Sequence, residues 1–555
     1  MKKNKKILAI ILALVMCLGL LAACGGNDDP PPANTGGGGD SPPPANDTTS
    51  PSQPPAADDP GGVDMGQAAE GGNYAEEVRI IVDNNPINVV NPFLPASNNT
   101  STNSVFTMIY DRLLYPEDDG TFSPELASVE TSDYTTYSFV LRDDVVFHNG
   151  DKLTARDVEF TINTAKDSPG SPSADAWRLV ETINIHSDTE FDLVLGEMNV
   201  DFLFGLTRPA SGIVNQNAMS ADAEKGPWVG TGAFSIIDFE TGDFVYMQRN
   251  DNWWNTANAP VTERMHLRFV PEMGARAIMV QNGEAQISLG TSAEDLPIFE
   301  NDPDNYNVYR VTFNDPQGMA FNMTDTLMQD KNFRLAVLHA IDLDEVAVVA
   351  AGKWASGANE SGNFWGLTTE FRHPDLPYIG YDPELAKEYL AASSYVPGTV
   401  VEIATAIITN IRGSEVIQAC LEDIGITVEV NQMDSPTLNA YIAGGQGQIN
   451  VIFTTITPSA ASVRAAFVPG GGQNRSNYSN PEVTALFDEA SKTIDREARR
   501  DIYYRIQEII YDELPVHNVI WRHNGIVIHN NIGGLILRSD AHRHDYRGVY
   551  YTLDG

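Results

Sequence analysis

The stretch "SFVLRDDVVFHNGDKLTARDVEFTI", Ser138 to Ile162, decides the fold. Tyr137, Phe139 and Leu141 alternate with polar neighbours, the period of a half-buried strand. Val145 to Phe147 predict a returning strand, and Asn149-Gly150-Asp151 supply the turn chemistry. Thr154 and Asp157 stand at N-cap and N3 spacing, so a capping box is expected to open a helix there. Strand, turn, strand and helix together indicate an α/β chain.

Working outward, the N-terminus carries Lys2, Lys3, Lys5 and Lys6, then an apolar run from Ile7 to Leu21, then Ala22 and Ala23 before Cys24. This is the layout of a secretory signal over residues 1–23. About 17 apolar residues interrupted by Gly19 are at the short limit for a bilayer span. Leu21-Ala22-Ala23-Cys24 resembles the lipobox of bacterial lipoproteins, which implies acylation of Cys24 and a lipid anchor on the extracytoplasmic face of the membrane. From Cys24 to about residue 76 the chain is rich in Pro, Gly and Asp and nearly free of large apolar side chains. Such a segment cannot offset chain entropy by burial and is expected to be a disordered tether.

The balance of 35 basic against 75 acidic residues gives a formal net charge of −40, which repels phosphate backbones and argues against nucleic acid as a partner. Of three cysteines, Cys17 leaves with the signal and Cys24 is the anchor, so Cys420 has no internal disulfide partner. The body must be stabilised by its core, and its length is ample for that.

The opening stretch resembles the signature segment of solute-binding protein family 5, the extracytoplasmic oligopeptide-, dipeptide- and nickel-binding components of ABC importers. Three further stretches are similar to the family in the same order: "GTGAFSIIDFETGDFVYMQRNDNWW" (Gly230 to Trp254), "ARAIMVQNGEAQISLG" (Ala275 to Gly290) and "MAFNMTDTLMQDKNFRLAVLHAIDLDEVAVVAAG" (Met319 to Gly352). In the last, Asp342 and Glu345 are spaced as a second capping box. Near the C-terminus, Asn480 is placed to cap, Pro481 to occupy N1, and Pro515 to end a helix pair. The resemblance implies two α/β lobes, periplasmic-binding-protein-like, joined by a hinge, with an inserted subdomain in lobe one. Carried onto this chain, lobe one takes 77–108, 228–311 and 518–555, the insertion 109–227, and lobe two 312–517.

No G-x-S-x-G elbow, H-E-x-x-H helix or cysteine pair is present, so an enzyme is not expected. In "AHRHDYRG", His542, His544 and Asp545 could present metal ligands, but a polar strand is the commoner reading, and neither metal nor cofactor is expected. A binding site needs aromatic walls and a few polar groups. Loops after the first strand offer Asn84, Asn85, Pro86, Ser97, Asn98 and Asn99. "GANESGNFWGLTTEF" offers Asn363, with Phe364 and Trp365 as an aromatic wall, whereas Trp253 and Trp254 are expected to pack under lobe one. Peptide-binding members carry an aspartate for the ligand's ammonium where this chain reads "NVIFTTITPSAASVRAAF", which holds Thr454, Thr455 and Thr457 and no aspartate.

The sequence thus leads to a monomeric, membrane-tethered binding protein that captures a peptide-like or other small organic solute by hinge closure and delivers it to the permease of an ABC importer. A peptide sensor on the same fold, signalling through a partner, is the alternative. A secreted metal-dependent hydrolase would hang on His542 and His544 alone.

Overall fold

The computed structural model describes residues 63–553, apart from residues 70, 83–84, 98, 118–120, 169, 293, 313–315, 353–354, 360–363, 455–458 and 539–543. After Val63–Asp64 (β1) come Glu77–Ile81 (β2) and the helix Thr100–Ile109 (α1). A four-stranded antiparallel sheet follows: Ala127–Glu130 (β3), Thr136–Leu141 (β4), Val180–Ile185 (β5) and Glu190–Leu195 (β6), with the helix Ala155–Asp167 (α2) between β4 and β5. The chain continues through Phe234–Glu240 (β7), Phe244–Arg249 (β8), Arg264–Arg268 (β9), Ile287–Thr291 (β10) and Tyr306–Thr312 (β11) to Gln317–Phe321 (β12). Next are the helices Lys331–His339 (α3) and Leu343–Ala351 (α4), then Ala355–Gly357 (β13), Val400–Thr405 (β14), the helix Ile408–Asp423 (α5), Thr427–Gln432 (β15) and Ile449–Phe453 (β16). The helices Pro481–Ala490 (α6) and Arg496–Glu513 (α7) lead into a 14-residue strand, Val516–His529 (β17), and the short Ile536–Leu537 (β18).

One 12-stranded sheet orders these strands as β15-β14-β16-β12-β17-β10-β2-β9-β8-β7, with β11 and β13 also on β17. Strand β17 serves two halves of the molecule. Its first part pairs with β12 and its last part with β10 and β11, the changeover falling between Ile520, opposite Gln317, and Gly525, opposite Thr291. Separate apolar cores flank the two halves. One gathers Val78, Phe106, Phe139, Leu193 and Met265; two others gather Met319, Val346 and Ile403, and Trp365, Phe467 and Tyr503. This is the two-lobed α/β architecture that the resemblance implies.

The opening stretch folds largely as expected. Tyr137, Phe139 and Leu141 are buried on one face of β4. Gly150 turns at φ 88°, a left-handed value that favours glycine. The Asp157 carboxylate accepts from the Thr154 backbone N–H at 3.1 Å and from its hydroxyl at 2.8 Å, which caps α2. The returning strand is corrected: Val145 and Phe147 are buried, but only an isolated bridge, Val146 to Lys152, pairs there. The main partners of β4 are β3 and β6.

His148 explains the neighbouring motif. Its ring Nδ1 accepts from the Gly230 N–H at 3.2 Å and its Nε2 lies 3.1 Å from the Gly232 carbonyl. A Cβ at Gly230 or Gly232 would collide with the Ile109 backbone, so Gly-Thr-Gly is a packing requirement. Burial holds the His148 ring down to about 4, neutral at physiological pH.

The expectation that residues 24–76 form a contact-free tether needs correction at its end. β1 pairs antiparallel with β18, and the Met65 N–H donates to the Leu535 carbonyl at 3.1 Å. Val63–Asp64 adds backbone pairing to the two-residue strand Ile536–Leu537, a contact too short to leave a sequence pattern. Residue 24 and the signal lie outside the described residues. No helix among the described residues is long and apolar enough to cross a membrane.

Candidate functional site

In an α/β sheet, ligands bind beyond the carboxyl ends of parallel strands, where helices begin. β14 and β16 are parallel and end at Thr405 and Phe453. β12 runs antiparallel to β16, which sets its first residue, Gln317, beside Phe453. In the other half β2 runs parallel to β10, which ends at Thr291 opposite Gly525. Both carboxyl edges therefore face each other across the span Ile520 to Gly525 of β17. At about 3.3 Å per residue that span is roughly 17 Å, enough for a small peptide-sized solute.

The wall on the β14–β16 side carries buried neutral polar groups. Gln317, Asn410 and Ser414 are fully buried, and Thr454 is nearly so. Asn410 and Ser414 lie one turn apart on α5, and Gly413 between them abuts the Gln317 amide. Ile407, the residue before α5, has φ 69° and supplies no side-chain cap, so the first N–H groups of the helix are left to other partners. Among the described residues, both side-chain atoms of Gln317 and of Asn410, and the Ser414 hydroxyl, have no hydrogen-bond partner. Each such buried group costs about 1–3 kcal/mol unless something else satisfies it.

The spanning strand contributes His523, whose Nδ1 lies 2.9 Å from the Thr312 hydroxyl and whose Nε2 lies 3.4 Å from the Ser356 hydroxyl. Burial, with Arg310 adding to it, lowers this ring to about 4 and keeps it neutral. It links the end of β11 to β13 across the changeover.

Of the residues singled out in the sequence, Asn85 is exposed and donates to the Thr100 hydroxyl at 3.2 Å, and Pro86 is half-buried after β2. Asn99 caps α1 by accepting from the Thr102 N–H at 2.9 Å. Ser97 is buried and bonds the Asn91 carbonyl, a turn-forming role. Asn84, Asn98, Asn363, Thr455 and Thr457 lie outside the described residues, as does Glu360. The aromatic-wall expectation for Phe364 and Trp365 gives way to packing. Phe364 meets Phe467 edge-on at 5.0 Å and Trp365 stacks over the same ring at 6.3 Å. Trp365 is fully buried, because a glycine-punctuated loop can fold its aromatic pair onto the α6–α7 core.

Trp253 and Trp254 pack on the core that holds Val78, Phe106 and Met265. Both indole N–H groups donate to the Asp111 carboxylate, at 3.2 and 2.9 Å. They border a cavity of about 420 Å³, away from the changeover, with Tyr115, Glu125, Asp545 and Arg547. Here Asp545 binds Arg547 at 2.6 Å and Tyr115 at 3.0 Å, and the His544 Nδ1 accepts from the Arg538 N–H at 2.9 Å. These groups are engaged with each other, and no metal-ligating cluster occurs among the described residues. His542 is outside them.

The comparisons with known proteins agree with this geometry. The model of bacterial extracellular solute-binding proteins, family 5 middle, matches residues 121–477. Glutathione-binding protein GsiB of Pectobacterium atrosepticum is 23% identical over 401 residues, covering 69% of this chain and 77% of that protein. Heme-binding protein A of Haemophilus influenzae is 24% identical over 469 residues, 75% of this chain and 82% of its own. Among solved structures, the ABC transporter substrate-binding protein CtaP of Listeria monocytogenes superposes with TM-score 0.73 at 20% identity, covering 86% of this chain and 100% of its own. DppA of Helicobacter pylori, in complex with the peptide STSA, gives 0.72 at 20% identity, covering 86% and 99%. With more than half of its length matched by the family model and two lobes meeting at one spanning strand, the chain belongs to family 5 of the bacterial extracellular solute-binding proteins, and it is a binding protein rather than an enzyme.

Proposed function

We propose that this protein is the membrane-tethered capture component of an ABC importer and takes a peptide-like or other small organic solute that has no obligatory free amine. Lobe one comprises 77–108, 228–311 and 518–555, lobe two 312–517, and 109–227 is the insertion. Cys24 carries the lipid, and the protein acts as a monomer. Solute bridging both carboxyl edges stabilises the closed arrangement, and closure presents the surface that a permease recognises.

The observation that carries the ligand class is the set of unpartnered neutral groups on Gln317, Asn410 and Ser414. Amides and hydroxyls exchange hydrogen bonds with carbonyl, amide or hydroxyl groups of a solute, but they cannot neutralise an ammonium. Asn85 and Pro86 after β2, and Thr454 after β16, are the described positions from the sequence reading that border the two edges.

Mass spectrometry of solute retained through gentle purification identifies the ligand, and calorimetry then compares any retained peptide with its N-acetylated twin at fixed pH and salt. The expected result is affinity within about tenfold for the pair. Had a carboxylate in a dry cleft held the ammonium, acetylation would cost roughly 3–5 kcal/mol. Loss of binding on acetylation contradicts the neutral-wall reading and points to an acidic group such as Glu360.

A further inference from the structure

The two lobes touch at a second place, on the turn that follows β6. The turn after β6, Gly196 to Asp201, adjoins Phe202 and Leu203 of the lobe-one core. It meets the corner between α6 and α7, whose Phe487, Ala490 and Tyr503 belong to a lobe-two core. There the Val200 N–H donates to the Ser491 carbonyl at 2.9 Å. Lys492 binds Glu197 at 2.6 Å, and the Arg499 guanidinium lies 3.7 Å from the Asp201 carboxylate. Rotation of one lobe from the other about β17 has to break all three contacts.

We propose that Glu197, Val200 and Asp201 with Ser491, Lys492 and Arg499 form a closing latch outside the solute crevice, and that this latch is tighter in mildly acid than in neutral medium. The exposed Lys492–Glu197 pair contributes little by itself. Asp201 differs because it is largely buried and one of its carboxylate oxygens has no hydrogen-bond partner among the described residues. Around it stand Arg499 and Tyr503 of α7, Glu370, which is itself paired with Arg496 at 3.0 Å, and Tyr137 of β4.

Burial pushes the Asp201 carboxyl up to about 6; Arg499 offsets part of that and Glu370 adds to it. When the latch opens, the carboxyl meets water and returns toward its ordinary value of 3.8. The closed form therefore binds the proton more tightly. Closure is favoured as pH falls through about 6, and the cost of the charged carboxylate is fully present above that. Between about pH 4 and 6 the ratio of closed to open molecules changes by up to about tenfold per pH unit.

The inference rests on hinge closure and needs no solute, so a failed solute assay leaves it standing. The test is neutron scattering of the full chain in contrast-matched detergent, dialysed free of solute, at pH 5 and pH 7.5, with amide exchange at Val200. The radius of gyration is expected to be smaller, and the Val200 amide better protected, at pH 5. Asp201→Asn, neutral at both pH values, is expected to give the compact form at both. Circular dichroism is expected to show the variant folded at both pH values. A radius that does not change with pH, or a pH response that survives Asp201→Asn, overturns the latch.

Discussion

Arg547→Met is expected to lower stability by about 3–5 kcal/mol, because it leaves largely buried carboxylates without their cation. Arg547 is buried and reaches three acids: Asp545 at 2.6 Å, Glu125 at 2.7 Å and Asp111 at 3.4 Å. Burial by itself would raise Asp545, yet the adjoining guanidinium and its hydrogen bonds bring that carboxyl well below its ordinary range. Asp111 behaves oppositely: burial, then the charge of Glu125, push it up, with only partial relief from Arg547. Arg112 is bound to Glu125 at 3.0 Å and cannot serve all three acids. A group whose folded value is depressed contributes its stability above the ordinary value of 3.8 and loses it as pH falls. The deficit of the variant is accordingly expected at neutral pH and expected to narrow toward pH 3. Denaturant unfolding of wild type and variant at both pH values checks this, and an equal deficit at both would show that lost packing dominates.

Trp365→Ala is expected to cost about 3–5 kcal/mol of stability, the usual penalty for removing a large aromatic from a core that relaxes only in part. The ring is fully buried against Phe467, within the core that also holds Phe364, Tyr478 and Tyr503. A ligand wall would show the opposite split, with unfolding unchanged and affinity reduced. Denaturant midpoints together with calorimetry separate the two, and unchanged stability with weakened binding would return Trp365 to the crevice.

Where the chemistry is local, the sequence is legible. Thr154 with Asp157, Asp342, and Asn480 with Pro481 all cap helices as their spacing implies, since a cap involves only three or four neighbouring residues. Non-local partners are not legible in this way. His148 and Gly230 stand in separate motifs, and only the folded chain shows that one clamps the other. Val145 to Phe147 carries strand-like residues yet finds no partner strand, because β6 takes the place beside β4. Phe364 and Trp365 look like an open wall because the loop around them is polar; their fate was set by Phe467, a hundred residues further on. Gln317, Asn410 and Ser414 went unnoticed because single amides and hydroxyls form no motif. Their signal lay in order along the chain: Asn410 follows the strand "VVEIAT" by a few residues, where an α/β sheet places its ligands.

The central claim is that solute capture draws the two lobes together about β17. Scattering of the full chain in contrast-matched detergent, with and without its retained solute at 100 times Kd, tests this most directly. The account predicts a smaller radius of gyration with solute, accompanied by about 2.7 kcal/mol of added stability from mass action. Stabilisation of that size with an unchanged radius would contradict it.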